Sequence, residues 1–260
     1  ESTLASIEAH HCDVAYMVPT MMKRILRLDD SLRLGFDLSS LRAVWHLAEP
    51  CPVWLKQAWI DWLGASRIFE LYAGTEAQAV TTITGDEWLE HRGSVGRVTT
   101  GEMKICDDEG IDLPAGEEGE VWMRSEREEP TYQYLGAEAK TLDGGWESLG
   151  DVGWFDADGY LYLGDRAADM ILSGGANIYP AEVEHALNEH PDVHSCAVIG
   201  LPNEDRGNDI HAIVEADEAF LERRDLLSFL AERLAAYKLP RSLEYVDYPL
   251  RDDAGKVRRS

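Results

Sequence analysis

Between Gly93 and Gly164 the chain cannot run far in any one direction. Turn formers recur at Gly101, Asp107-Asp108-Glu109-Gly110, Pro114, Gly116 and Gly119, and leave room only for short strands such as 103–106 and 120–123. Turns at spacings of roughly 8–12 residues predict a small β-barrel or curled sheet, here over residues 93–165. The residues before it have another texture. Pro19 and Thr20 open a helix through Met22, Ile25 and Leu26, followed by an expected strand at 41–47, a helix at 53–63 and a strand at 67–72. Alternating helix and strand over 1–92 predicts part of a layered α/β sheet. Beyond Arg166, Ser173-Gly174-Gly175 lies between Met170-Ile171-Leu172 and Asn177-Ile178-Tyr179, a hairpin pattern. Pro180 then starts a helix with Val183 and Leu187 on one face, and Pro191 ends it. Strands at 195–199, 211–216 and 243–246 and a helix at 221–236 complete a small α+β module over 170–260. The fold expected is therefore α/β and multi-domain.

Composition narrows the function. A net charge of −25 over 260 residues repels phosphate backbones, so nucleic acid is not an expected partner, and an anionic ligand must be held by a few local donors. Hydrophobic residues make up 45% of the chain, yet no apolar run approaches the roughly 20 residues of a membrane span. Cys12, Cys51, Cys106 and Cys196 are widely spaced, with no Cys-x-x-Cys pair. That spacing argues against a zinc site or a disulfide scaffold and favours a reducing, cytoplasmic compartment. The first residues carry no signal-peptide pattern and no initiating methionine, and the chain is read as a piece of something longer.

Four short segments can carry chemistry. Tyr72-Ala73-Gly74-Thr75-Glu76 follows an expected strand. Its small residues let backbone amides approach a phosphate, Thr75 can donate to it, and Glu76 can hold Mg²⁺ against it. An ordinary strand-to-helix turn gives the same local pattern. Ser148-Leu149-Gly150-Asp151 lies fifteen residues before Arg166. An aspartate there can hold both hydroxyls of a ribose with the arginine in support, and a salt bridge across a hairpin is the alternative. Gly174-Gly175 suits a hairpin turn at positive φ, or room for a narrow ligand arm. Lys256, after Ala254-Gly255 and before Val257-Arg258, is either a solvated tail lysine or a cation that reaches two anions at once.

Taken together, in this order and over almost the whole chain, these segments resemble the carboxyl-terminal half of the adenylate-forming enzymes, which include acyl-CoA synthetases, peptide-synthetase adenylation domains and firefly luciferase. Tyr72 to Glu76 is similar to the family's Tyr-Gly-x-Thr-Glu, and Gly150-Asp151 to its nucleotide-binding aspartate. Asp165 to Glu184 resembles its Gly-Arg-x-Asp…Gly-Gly…Glu-Val-Glu stretch, and Pro249 to Lys256 its Leu-Pro-Arg…Gly-Lys end; Tyr237-Lys238-Leu239-Pro240 also fits. The resemblance implies ATP, AMP, Mg²⁺ and coenzyme A as ligands and a carboxylic acid as substrate. Tyr72 would stack on adenine, with Glu70 and the backbone of Ala48, Glu49 and Pro50 lining the base. Asp151 and Arg166 would hold ribose, Thr75 phosphate and Glu76 the metal. Lys256 would bridge carboxylate and α-phosphate, and Gly174 and Gly175 would flank the pantetheine arm. It also implies a mobile small terminal domain that turns about a hinge at 166–169 between two half-reactions.

The chain departs from the family pattern at several points. Ala73 stands for a glycine, Asp165 for the glycine before Arg166, Ala168 for a polar hinge residue, and Leu47 and Glu49 for small residues. The Ser/Thr/Gly-rich phosphate loop is absent, so a missing amino-terminal half is an expected partner, as is a second copy in a homodimer. The leading expectation is an AMP-forming acid:CoA ligase of fatty acid metabolism, inactive or weak as this piece alone. An acyl pocket is expected near 17–22 and 71–80, for hydrophobic or polycyclic acids. The rivals are a carrier-loading adenylation domain and a non-catalytic nucleotide-binding fragment.

Overall fold

The computed structural model describes residues 1–127, 132, 135, 139–164, 170–216 and 221–251. They form a mixed α/β chain in two compact units, Glu1–Leu163 and Gly164–Ser260, each with its own sheet. The expected hinge at 166–169 lies outside the described residues.

The first unit begins with α1 (Ser2–His10), β1 (Val14–Met17), α2 (Pro19–Leu26), α3 (Asp30–Arg33), β2 (Ala43–His46), α4 (Val53–Leu63) and β3 (Ile68–Ala73). β1, β2 and β3 pair in parallel, and helices carry the long connections that parallel neighbours need. Pro19 occupies the first turn of α2, where its missing N–H costs nothing. Leu55, Trp59 and Ile60 share one face of α4 and are buried with Leu4, Met22, Val44 and Ile68 against one side of the sheet. Each such side chain contributes about 1.5–3 kcal/mol by leaving water.

After β3 the chain turns antiparallel through β4 (Val80–Thr84) and, past α5 (Gly85–Glu90), β5 (Ser94–Thr100). A capping box starts α5: the Glu87 amide donates to Thr84 Oγ1, and the Thr84 amide donates to Glu87 Oε2. That bond is the main reason the Glu87 carboxyl lies below its ordinary pKa. The sheet then continues through β10 (Leu161–Leu163), β9 (Trp146–Phe155), β7 (Gly119–Arg124) and β6 (Glu102–Cys106), with β8 (Lys140–Leu142) added to β9. These are the strands that the turn-rich stretch predicts, and they enclose Ile105, Val121, Met123 and Leu161.

In the second unit β11 (Ile171–Ser173) and β12 (Ala176–Ile178) form the expected hairpin. Gly174 and Gly175 supply its two positive φ values, 58° and 82°, as a two-residue turn of this hand requires. α6 (Pro180–Asn188) and α7 (Arg223–Ala231) pack on β13 (Ser195–Asn203) and β14 (Gly207–Glu215), and β15 (Ser242–Val246) pairs in parallel with β14. β13 runs past the expected 195–199 and carries Pro202 within it, which is tolerated because β13 ends the strand order. α7 stops at Ala231, short of the expected 236. Ahead of Pro240 the chain forms instead a separate turn over Ala236–Lys238, held where Lys238 Nζ donates to Glu182 Oε1 of α6 at 2.6 Å. Among the described residues no helix is long and apolar enough to cross a membrane, and the four cysteines form no disulfide.

Candidate functional site

β3 delivers the Tyr72–Glu76 segment to β9. Residues of β9 meet it in order. Tyr72 Oη donates to Asp151 Oδ2 at 2.7 Å. A Cβ on Gly74 would stand 2.4 Å from Leu149 Cδ1, so the glycine lets this side chain close on the segment. Gln78 Nε2 donates to Glu147 Oε2 at 3.0 Å. Tyr72 and Asp151, 79 positions apart in sequence, are thereby brought into direct contact. Thr75 is exposed and Glu76 half-buried, with the turn closed by the Ala77 amide donating to Gly74 O at 3.1 Å. Ala73 lies within β3, paired with Val80, and is not among the positive-φ residues, so alanine is accommodated without strain.

Ala48 and Ala77 do adopt left-handed backbone, with φ of 74° and 57°, and they sit beside the two candidate nucleotide loops. For a non-glycine residue this conformation costs about 1–2 kcal/mol. Glu49 Oε2 accepts from Thr20 Oγ1 at 3.0 Å, which ties the 48–50 loop to the start of α2. Ala48 and Pro50 are exposed.

Glu70 has a different setting from the one expected of a base-lining side chain. Its Oε2 accepts from Lys56 Nζ at 2.6 Å and lies 3.8 Å from His46 Nε2, with all three residues buried. Lys56 Nζ also lies 5.1 Å from the Trp88 ring centre. Burial pushes the His46 pKa down to about 4, against the pull of the Glu70 charge, so at neutral pH the ring is uncharged. Both of its ring nitrogens are buried without a hydrogen bond.

The sequence motifs do not include Lys56, His46 or Gln78. Lys56 is legible after the fact as a lysine on the apolar face of α4, and His46 as the inward partner of Val44 on β2, where burial alternates. Gln78 has no such signal.

Gly174 and Gly175 belong to the second unit. A Cβ on either would meet nothing within 4 Å, so the tip of that hairpin is open. Toward the tail of this unit, Arg251 Nε donates to Ser195 Oγ at 3.2 Å, and its guanidinium lies 3.9 Å from the buried Glu184 carboxylate. Arg166 and Lys256 lie outside the described residues. A separate group, His91, Asp156 and Asp158, places three ligand-type atoms within 4.8 Å of one another. Asp156 Oδ1 there accepts the amides of Asp158 and Tyr160, which shapes the turn between β9 and β10. An open depression of about 520 Å³ nearby is lined by Arg97, Met103, Phe155 and Asp158 and by none of the candidate nucleotide residues among the described ones.

The profile of AMP-binding enzymes matches residues 1–132, and that of the AMP-binding enzyme C-terminal domain matches residues 182–255. The chain is 33% identical to a 2-succinylbenzoate–CoA ligase of Bacillus licheniformis, over 100% of the chain and 53% of that protein. Among solved structures it is similar to an o-succinylbenzoate coenzyme A synthetase of Bacillus subtilis in complex with ATP and magnesium ion, at TM-score 0.81 and 30% identity, covering 98% of this chain and 52% of that one. An amide bond synthetase of Marinactinospora thermotolerans is matched at TM-score 0.80 and 34% identity, again over 98% of this chain and 53% of the other. The chain thus spans about half the length of the relatives it matches.

Proposed function

Because the chain belongs to the AMP-binding enzyme family, we propose that it is the carboxyl-terminal portion of an AMP-forming carboxylic acid:CoA ligase. A carboxylate is a poor acyl donor, since its leaving group would be oxide. Attack of the carboxylate on the α-phosphorus of ATP expels pyrophosphate and leaves an acyl adenylate. The thiol of coenzyme A then attacks the acyl carbon, and AMP departs with the electron pair of the broken C–O bond.

The observation that carries this reading is the bond between Tyr72 Oη and Asp151 Oδ2, which joins the adenine candidate to the ribose candidate inside one unit. In this proposal Tyr72 stacks on adenine beside Ala48, Glu49 and Pro50, and Asp151 with Arg166 holds the ribose. Glu70 acts from behind that wall, because its carboxylate is held by Lys56. Thr75 donates to phosphate. The residues present fit a divalent cation, since Glu76 offers a carboxylate next to the orphaned, buried oxygen of Gln78. When bound, Mg²⁺ neutralises phosphate charge there. Lys256 offsets the charge that grows between carboxylate and α-phosphate, and Gly174 and Gly175 leave room for the pantetheine arm.

The complementary half is the expected partner. Tyr16, Trp45 and Phe69 stack in register across β1, β2 and β3, with ring centres 6.4 and 4.8 Å apart. Tyr16 at their end is 67% exposed, an aromatic edge suited to burial by further chain. The test is ATP–pyrophosphate exchange with a panel of aliphatic and aromatic acids, by the chain assembled with a relative's amino-terminal half. Acid-dependent exchange is expected, whereas its absence from a folded, nucleotide-binding assembly would favour a non-catalytic fragment. Similarity to an amide bond synthetase favours a second reading, in which an amine replaces the thiol as acyl acceptor. Supplying both acceptors in the second step separates the two.

A further inference from the structure

Two oxygen acceptors converge beside Gly74, and one of them has no partner. A Cβ on Gly74 would stand 3.0 Å from Glu76 Oε2 and 3.3 Å from Gln78 Oε1. Gln78 is only 3% exposed, and its Oε1 is buried with no hydrogen bond. An unpaired buried acceptor costs about 1–3 kcal/mol, so this oxygen is held in place at the expense of stability.

What holds it is the other end of the amide. Gln78 Nε2 donates to Glu147 Oε2 at 3.0 Å and lies 3.4 Å from Tyr132 Oη, which itself donates to the same Glu147 oxygen at 2.9 Å. An ionised carboxylate only accepts. Turning the amide over would press oxygen against oxygen, so Glu147 fixes which end of Gln78 faces Glu76.

We propose that Gln78 Oε1 is a ligand for a divalent cation shared with Glu76, and that Glu147 and Tyr132 are positioning residues that aim it. A hard cation takes carboxylate and neutral amide oxygens together, and it satisfies the orphaned acceptor while drawing the two oxygens to one centre. Leu149 Cδ1, 2.4 Å from where a Gly74 Cβ would stand, is the end of a flexible side chain that turns aside to admit the cation. This inference rests on the reading of Glu76 as the metal residue and adds to it a neutral ligand two positions downstream.

The test is titration of Mn²⁺ into the chain, with free Mn²⁺ read from its electron paramagnetic resonance signal and folding followed by circular dichroism. The wild type is expected to bind Mn²⁺. Gln78→Met, which removes the oxygen, should weaken binding by at least about tenfold. Glu147→Met leaves Gln78 in place but removes the acceptor that orients it, and should also weaken binding, which keeps the inference testable should the Gln78 variant not fold. Wild-type affinity in folded Gln78→Met or Glu147→Met, together with loss in Glu76→Gln, would overturn the role of Gln78 and leave that of Glu76 standing. A folded wild-type chain that binds no Mn²⁺ would overturn both.

Discussion

Lys56 Nζ and Glu70 Oε2 lie 2.6 Å apart beneath the strand that carries the Tyr72 motif, their side chains 1% and 9% exposed. An ion pair this deep is costly to desolvate and still more costly to break, because a lone survivor stays buried and uncompensated. Lys56→Met should therefore destabilise the first unit by about 3–5 kcal/mol. The double variant Lys56→Met/Glu70→Leu should recover most of that loss. Urea unfolding of the two single variants and the double variant measures the coupling, and additive losses would contradict it.

His46 makes the stability depend on pH. Its folded pKa of about 4 lies below the ordinary 6.5, so between those values the unfolded chain binds more protons than the folded one. Stability contributed by the neutral ring is complete above about pH 6.5 and falls as pH drops toward 4, by up to ~3 kcal/mol. His46→Leu should flatten the slope of unfolding free energy between about pH 7 and 5, measured by urea titration alongside the wild type. An unchanged slope would place the imidazole in water.

Ala48 holds a left-handed backbone that glycine adopts freely. Ala48→Gly should stabilise the first unit by about 0.5–1 kcal/mol, the relief of strain less the added chain entropy of glycine. The same exchange at Ala43, inside β2, should destabilise by a similar ~0.5–1 kcal/mol. Opposite signs in thermal unfolding are the expected outcome.

The contact between Tyr72 and Asp151 can be weighed by a double-mutant cycle with Tyr72→Phe and Asp151→Ala. A hydrogen bond to a charged acceptor predicts a coupling of about 1.5–3 kcal/mol in stability. Independent effects would mean that the two motifs meet without depending on each other.

Much of the fold is legible because local signals agree with the global arrangement. Pro19 and Pro180 open their helices where the sequence says, 53–63 is helical over the expected span, and the Gly174-Gly175 turn has the φ values its residue types predict. α1 escapes the sequence because Glu1 makes no side-chain cap and the helix buries only Leu4 and Ile7. Within the site, motif spacing finds Tyr72 and Asp151, but the strand pairing that brings them together is not local information. Glu70 shows the limit most clearly. Its neighbours in sequence suggest a ligand wall, whereas Lys56, fourteen positions earlier and on another element, decides where its charge goes. Gln78 is hidden for the same reason, since its orientation is set by Glu147 from β9.

The proposed role of Lys256 in adenylate formation, the first of two half-reactions, is tested most directly by Lys256→Ala in the assembled enzyme. Acyl-adenylate formation should fall by at least about a hundredfold, in line with removal of a transition-state charge contact, while conversion of a supplied acyl adenylate to thioester stays near the wild-type rate. Equal loss in both half-reactions, or adenylate formation at the wild-type rate, would contradict it.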